Sequence, residues 1–178
     1  MTLNWIRSLP EADEVVARVD PEAIKLIEGR RSLTWIPTTP LDQLATALLE
    51  VVGPDNYKTF FARRVNSWSE SKLFGPLTEA AGRIFGTDPT GHLKWLGRAW
   101  QITTRNMGSV ETTPQGDGRL RIEYGVLPPS HRMPRMVYSS EGSIRGVIEA
   151  RGKTPLIDVD DSRLATEGRM AFDVGWSD

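Results

Sequence analysis

The sequence predicts an α+β fold, with an N-terminal helical layer packed on a small antiparallel sheet and a β-β-α-β-β unit at the C-terminal end. Three observations carry this expectation. Apolar residues recur at spacings of three and four between Leu41 and Trp100, as one face of a helix requires. Leu120, Ile122, Tyr124 and Val126 alternate with Arg121, Glu123 and Gly125, and Met170, Phe172, Val174 and Trp176 alternate with Ala171, Asp173 and Gly175, which is the period of half-buried strands. Between these strands lies an apolar run punctuated by Gly142, Gly146 and Gly152. Glycines four apart on a helix leave no Cβ between its backbone and whatever it packs on.

The elements follow in order. Residues 10–31 hold Val15, Val16, Val19, Ala23, Ile24 and Ile27, and Asp20-Pro21-Glu22 supplies an N-cap with proline at the first helical position, so two short helices, or a helix and a turn, are expected. Ser32 to Pro40, with Leu33, Trp35, Pro37 and Pro40, reads as an extended segment anchored by Trp35. Leu41, Leu44, Ala45, Leu48 and Val52 define a helix that ends at Gly53-Pro54. Three more are expected: Asn56 to Val65, Pro76 to Phe85, and one from Pro89 past Trp100 with Leu93, Leu96 and Trp100 on one face. Past Asn106, Val110 and Thr112, a turn over 114–118 and the strand ending at Val126 make a hairpin. The glycine-spaced helix comes next, then a strand with Leu156, Ile157 and Val159, then the last strand. The chain is read as a single domain over 1–178, with a helical extension over 1–31, a helical layer over 32–107 and a sheet unit over 108–178.

Composition bounds the function. The 178 residues, 39% of them hydrophobic, suffice for one sizeable core. A formal net charge of -1, from 22 basic and 23 acidic residues, gives no global attraction to phosphate backbones or anionic lipid, so no nucleic-acid partner is expected. The absence of cysteine excludes disulfides, thiolate nucleophiles and cysteine-based metal sites. Met1 to Pro10 lacks the continuous apolar stretch of a signal peptide and no later run approaches membrane-spanning length, so no membrane span and a cytoplasmic setting are expected.

Candidate chemistry is sparse. His92 and His131 are read as surface or capping residues, although Asp88 and His92, four apart, could share a helix face as a two-ligand pair. No G-x-S-x-G elbow and no phosphate-binding glycine loop occurs, and Asp158, Asp160 and Asp161 read as a solvated turn. A general base at Glu79, Glu141 or an aspartate lacks a partner group, so the reading leans away from an enzyme. Aromatics are plentiful: Tyr57, Phe60, Phe61, Trp68, Phe74, Phe85, Trp95 and Trp100 in the helical layer, and Tyr124, Tyr138, Phe172 and Trp176 in the sheet unit. A helix-on-sheet interface rich in such side chains can leave an amphipathic pocket. Arg63, Arg64, Arg98, Arg105, Arg132 and Arg135 are read as a solvated face that could also meet an anionic group.

Trp35-Ile36-Pro37, the run Leu93 to Met107 leading into Gly108-Ser109-Val110-Glu111, the spacing of Gly142, Gly146 and Gly152, and the closing Phe172-Asp173-Val174-Gly175-Trp176 together resemble a family of unknown function expanded in myxobacteria, over about residues 32–178. That family is distantly similar to haem/nitric-oxide-binding domains and to bacteriochlorophyll vinyl reductase-type ligand domains. The resemblance implies a helical lobe over a small sheet with a small hydrophobic ligand between. In the haem/nitric-oxide-binding domains a helix histidine ligates iron and a Tyr-x-Ser-x-Arg motif grips the propionates. His92 occupies a suitable place, but Tyr124 is followed by Gly125-Val126-Leu127-Pro128 and Tyr138 by Ser139-Ser140-Glu141-Gly142, so the motif is missing. No cofactor is therefore expected, with haem disfavoured. The expected function is a non-enzymatic, small-molecule-binding or sensory module with a hydrophobic pocket between helices and sheet, contacted by Trp95, Trp100, Tyr124 and Tyr138, with Arg105 for an anionic group. The alternative is a protein-interaction or scaffold protein without a ligand, in a homodimer or with another partner, working through an aromatic surface near Trp5 or Trp68.

Overall fold

The computed structural model describes residues 2–30, 35–67, 86, 88–116 and 118–178. The helix expected from Pro76 to Phe85, and Leu33, Trp68, Phe74 and Glu79, lie outside the described residues. By contacts the chain divides into two compact units, Met1–Tyr57 and Lys58–Asp178.

The first unit is helical: α1 (Thr2–Ile6), α2 (Ala12–Ala17), α3 (Pro21–Gly29) and the start of α4 (Thr39–Asn66). The cap read at Asp20 is formed: its carboxylate accepts from the Glu22 N–H at 2.8 Å, and Pro21 fills a position whose missing N–H costs nothing. Val15, Ile24, Ile27, Leu44 and Leu48 are buried, as their spacing requires. Helix α1 is not expected from the sequence, because among its described side chains just Leu3 and Ile6 form the buried stripe. Trp35, expected as an anchor, keeps 46% of its surface exposed. The break expected at Gly53-Pro54 is present inside α4: Gly53 has φ +77°, open to glycine without a Cβ penalty, and Pro54 brings no N–H to the helical ladder.

The second unit carries the rest of α4, then α5 (Pro89–Leu93), α6 (Leu96–Thr103), β1 (Ser109–Gly116), β2 (Arg119–Gly125), α7 (Pro134–Glu149), β3 (Thr154–Asp160), α8 (Leu164–Glu167) and β4 (Met170–Ser177). The four strands form one antiparallel sheet in the order β1-β2-β4-β3. The α+β class and the small antiparallel sheet stand as read. Register sets the core: Leu120 faces Val174, Ile122 faces Phe172 and Tyr124 faces Met170, and all six are buried in one cluster with Leu93, Ile144 and Ile148. Each such buried side chain contributes about 1.5–3 kcal/mol. On the opposite face Arg121 bridges Asp173 at 2.6 Å and Glu123 at 3.3 Å; exposed pairs of this kind contribute about 0–1 kcal/mol, so the inner face dominates.

Three local expectations are corrected. The helix expected from Pro89 past Trp100 is two, because after the last helical bond from Lys94 to the Thr90 carbonyl, Trp95 closes a tighter turn onto the His92 carbonyl, both at 3.1 Å. Val126, expected to face the core, is 62% exposed with φ +54°; the turn there lets Leu127 donate to the Gly168 carbonyl at 2.9 Å and bury its own side chain completely. Gly152 plays no packing role, since it forms an open turn with φ +71°. Gly142 and Gly146 do what their spacing implied: a Cβ on either would overlap the carbonyl of Lys58 or Ala62, so α7 lies backbone to backbone against the second stretch of α4.

Candidate functional site

The five residues expected to contact a ligand all lie in the second unit, at different depths. Trp100 on α6 meets Tyr124 on β2 edge to face, with ring centroids 5.4 Å apart and planes at 89°. Tyr124 in turn meets Phe172 on β4 at 5.8 Å and 74°. The polar ends are satisfied internally: Trp100 Nε1 donates to the Met107 carbonyl at 3.2 Å, and the Tyr124 hydroxyl bonds to Ser140. Burial pushes the Tyr124 phenol above its ordinary pKa, so it stays protonated at neutral pH. A ligand using this aromatic seam would compete with these contacts.

The other three stand elsewhere. Trp95 is 46% exposed between α5 and α6, with the Arg98 guanidinium 5.1 Å from its ring centroid. Arg105 is exposed in the bend after α6. Tyr138 sits half-buried on α7, with Lys58 Nζ 5.4 Å from its ring centroid, and Lys58 is also paired with Glu141 at 2.9 Å. An open groove lined by Gln115, Arg119, Leu156, Ile157, Asp158, Asp173 and Gly175 includes none of the five. Of the expected interaction surface, Trp5 is half-buried and Trp68 lies outside the described residues.

The histidines and two arginines depart from the solvated reading. His131 is only 5% exposed, with Nδ1 3.0 Å from Ser130 Oγ. Arg132 donates to the Leu127 and Thr166 carbonyls at 3.0 and 2.9 Å, and Arg135, 8% exposed, to the Ser130 carbonyl at 2.9 Å. These side chains hold the loop between β2 and α7 in place. Asp88 does not join His92 as a ligand pair: its carboxylate caps α5 by accepting from the Thr90 N–H at 3.0 Å. No group of three or more metal-ligating side chains occurs among the described residues.

His92 is half-buried on α5 and has a defined polarity. Its Nδ1 lies 3.4 Å from the Asp88 carbonyl oxygen, which can only accept, so the hydrogen belongs on Nδ1. Nε2 then presents its lone pair, and Arg151 Nη2 donates to it. Burial, followed by the positive charge of Arg151, pushes the His92 pKa below its ordinary value and favours the neutral ring. A neutral imidazole with one nitrogen fixed by a carbonyl and the other offering a lone pair is the form a metal requires. Arg151 was not singled out from the sequence, and a lone arginine 59 positions from His92 offers no local signal.

No protein-family model matches the chain, and no curated protein matches it in sequence. Solved structures do match in fold. The Fe(II) unliganded form of a mutant H-NOX protein from K. algicida superimposes with a TM-score of 0.67 at 14% identity, covering 99% of this chain and 92% of that one. An H-NOX protein from S. oneidensis in the Fe(II)NO ligation state gives 0.63 at 14% identity, covering 98% of both chains. A structure that probes heme distortion in the H-NOX family gives 0.60 at 13% identity, covering 99% of this chain and 94% of that one. The fold is similar to that of H-NOX proteins.

That likeness corrects one expectation. The missing Tyr-x-Ser-x-Arg motif speaks for a chain with no cofactor and haem disfavoured, but the three solved structures named above are of H-NOX proteins, in Fe(II) states and with heme as a subject of study. The missing motif leaves the His92 ring unchanged, with its hydrogen on Nδ1 toward the Asp88 carbonyl and its lone pair on Nε2 toward Arg151. No helix among the described residues is long and apolar enough to cross a membrane.

Proposed function

We propose that the chain is a non-enzymatic sensory module that binds a small hydrophobic ligand, with haem as that ligand and His92 as the residue that would hold it. The observation that carries this reading is the neutral His92 side chain on α5, its Nε2 lone pair fixed by the Asp88 carbonyl, in a chain similar in fold to H-NOX proteins over 98–99% of its length. When bound, haem would supply an iron able to take up a small molecule, with His92 as the residue that would hold it. The chain's own part is to present one imidazole and to exclude water around it. Trp100 and Tyr124, with Trp95, Tyr138 and Arg105, are the proposed further contacts with the ligand. The reading carries with it a pocket between helices and sheet, a cytoplasmic setting, no nucleic-acid partner, and output through a protein partner or a homodimer. The resemblance to the family expanded in myxobacteria is part of the same proposal.

The test is reconstitution of the purified full chain with haemin, followed by absorbance. A Soret band typical of histidine ligation in the parent protein, lost in His92→Ala, is the expected result. A chain that returns unchanged from haemin, or whose Soret band is the same in His92→Ala, overturns the reading.

A further inference from the structure

Arg151 is the side chain whose surroundings the fold alone does not explain. It follows Ala150, the C-cap of α7, and precedes the Gly152 turn into β3. Its Nε is buried without a hydrogen-bond partner among the described residues, and its Nη2 donates to His92 Nε2. A half-buried guanidinium ordinarily finds a carboxylate, because an unmatched buried donor costs about 1–3 kcal/mol. Here its named partner is a neutral imidazole nitrogen with a single lone pair. That lone pair is the one a metal would need.

We infer that Arg151 is a built-in competitor for His92, holding Nε2 in the ligand-free chain so that this contact would have to open before His92 could hold haem. The inference rests on the proposed role of His92 and adds a regulation to it. The single lone pair of Nε2 cannot both accept the Arg151 N–H and be given to a metal ion, so ligation at Nε2 and the Arg151 contact exclude each other. The arginine leaves at modest cost, since its Nε is unmatched where it stands and is hydrated once released. Because Arg151 joins α7 to β3, its release frees a charged side chain at the end of the helix that Gly142 and Gly146 pin to α4. An apparent affinity falls by the fraction of molecules that are competent, so a competitor occupying Nε2 nine times in ten weakens binding about tenfold.

The experiment compares the full-length parent, Arg151→Met, His92→Ala and the double variant, each titrated with haemin and followed at the Soret band. Methionine keeps the apolar stem of Arg151 and removes its donors. The expected result is that Arg151→Met binds haemin about tenfold more tightly than the parent, with the gain abolished in the double variant. Equal affinities of the parent and Arg151→Met, both lost with His92→Ala, overturn the competitor role while leaving His92 as the ligand. No His92-dependent Soret band in either protein removes the proposed function and this inference with it. A second readout needs no haem: the ¹⁵N shift of His92 Nε2 in the ligand-free chain should move in Arg151→Met, and an unmoved resonance shows that the contact is not made.

Discussion

Gly146 meets Ala62 backbone to backbone: a Cβ on Gly146 would stand 2.5 Å from the Ala62 carbonyl oxygen and 2.8 Å from its Cα. The obstructing atoms belong to a helix and cannot rotate aside as a side chain could. Gly146→Ala should therefore force α7 away from α4 and destabilise the chain by about 1–3 kcal/mol, the usual cost of overpacking. Gly142→Ala, facing the Lys58 carbonyl, should behave alike. Urea denaturation would read this as a lower midpoint with an unchanged slope. An unchanged midpoint in both variants would show that the two helices do not approach this closely.

The pair Lys58 and Glu141 spans the same two helices at 2.9 Å, with side chains only 23% and 22% exposed. Partial burial reduces solvent screening, and Lys58 also lies against the Tyr138 ring. A double-mutant cycle with Lys58→Met and Glu141→Gln should return a coupling of about 1 kcal/mol, at the upper end for surface pairs. A coupling indistinguishable from zero would assign the helix contact to the glycines alone.

Trp100→Ala removes the edge-to-face contact with Tyr124 and leaves the Met107 carbonyl without its indole donor. Trp100 is half-buried, so the loss should fall near about 2–3 kcal/mol, at or below the low end of aromatic truncations. Trp100→Phe should recover most of the stability, because the ring contact survives. Measuring both stability and haemin affinity separates two roles. Trp100→Phe that keeps stability but loses affinity marks a ligand contact, and equal proportional losses in both mark packing only.

What could be read from the sequence was local. Asp20-Pro21 caps α3 because capping needs only adjacent residues, and Leu120, Ile122 and Tyr124 face inward because a strand's period is fixed by its backbone. Gly142 and Gly146 gave away a close approach, though not its partner, since Ala62 lies 84 positions before Gly146 (146 minus 62) and nothing in either segment names the other. Val126 departs from the alternation for a tertiary reason: the bond from Leu127 to Gly168 turns the chain one residue before the alternation ends. Lys94 and Trp95 suit a helix as well as a turn, so the break between α5 and α6 carried no mark. The aromatic count promised a pocket, while the choice of which rings meet rests on β2–β4 register and on the seat of α6. His92 was visible as a histidine; its lone pair, its carbonyl partner and Arg151 were not.

Acid should loosen the turn after β3. The Asp160 carboxylate accepts from Ser162 Oγ at 2.7 Å and from the Ser162 N–H at 3.3 Å, and these bonds, the hydroxyl's first, hold its pKa below the usual carboxylate range. A group whose pKa is lower in the folded chain than in the unfolded one stabilises the fold fully above the unfolded value. That contribution is lost as the pH falls through the folded value, because the unfolded chain then binds the proton first. Asp160→Asn should thus lower stability at neutral pH and flatten its decline between about pH 5 and pH 2. Ser162→Ala should flatten the same window while leaving the charge in place. The measurement is the urea midpoint as a function of pH for the three proteins. Parallel curves for the parent and Ser162→Ala would mean that the hydroxyl does not set the Asp160 titration, leaving the weaker N–H bond and the charges of Arg163 and Arg121 as its cause.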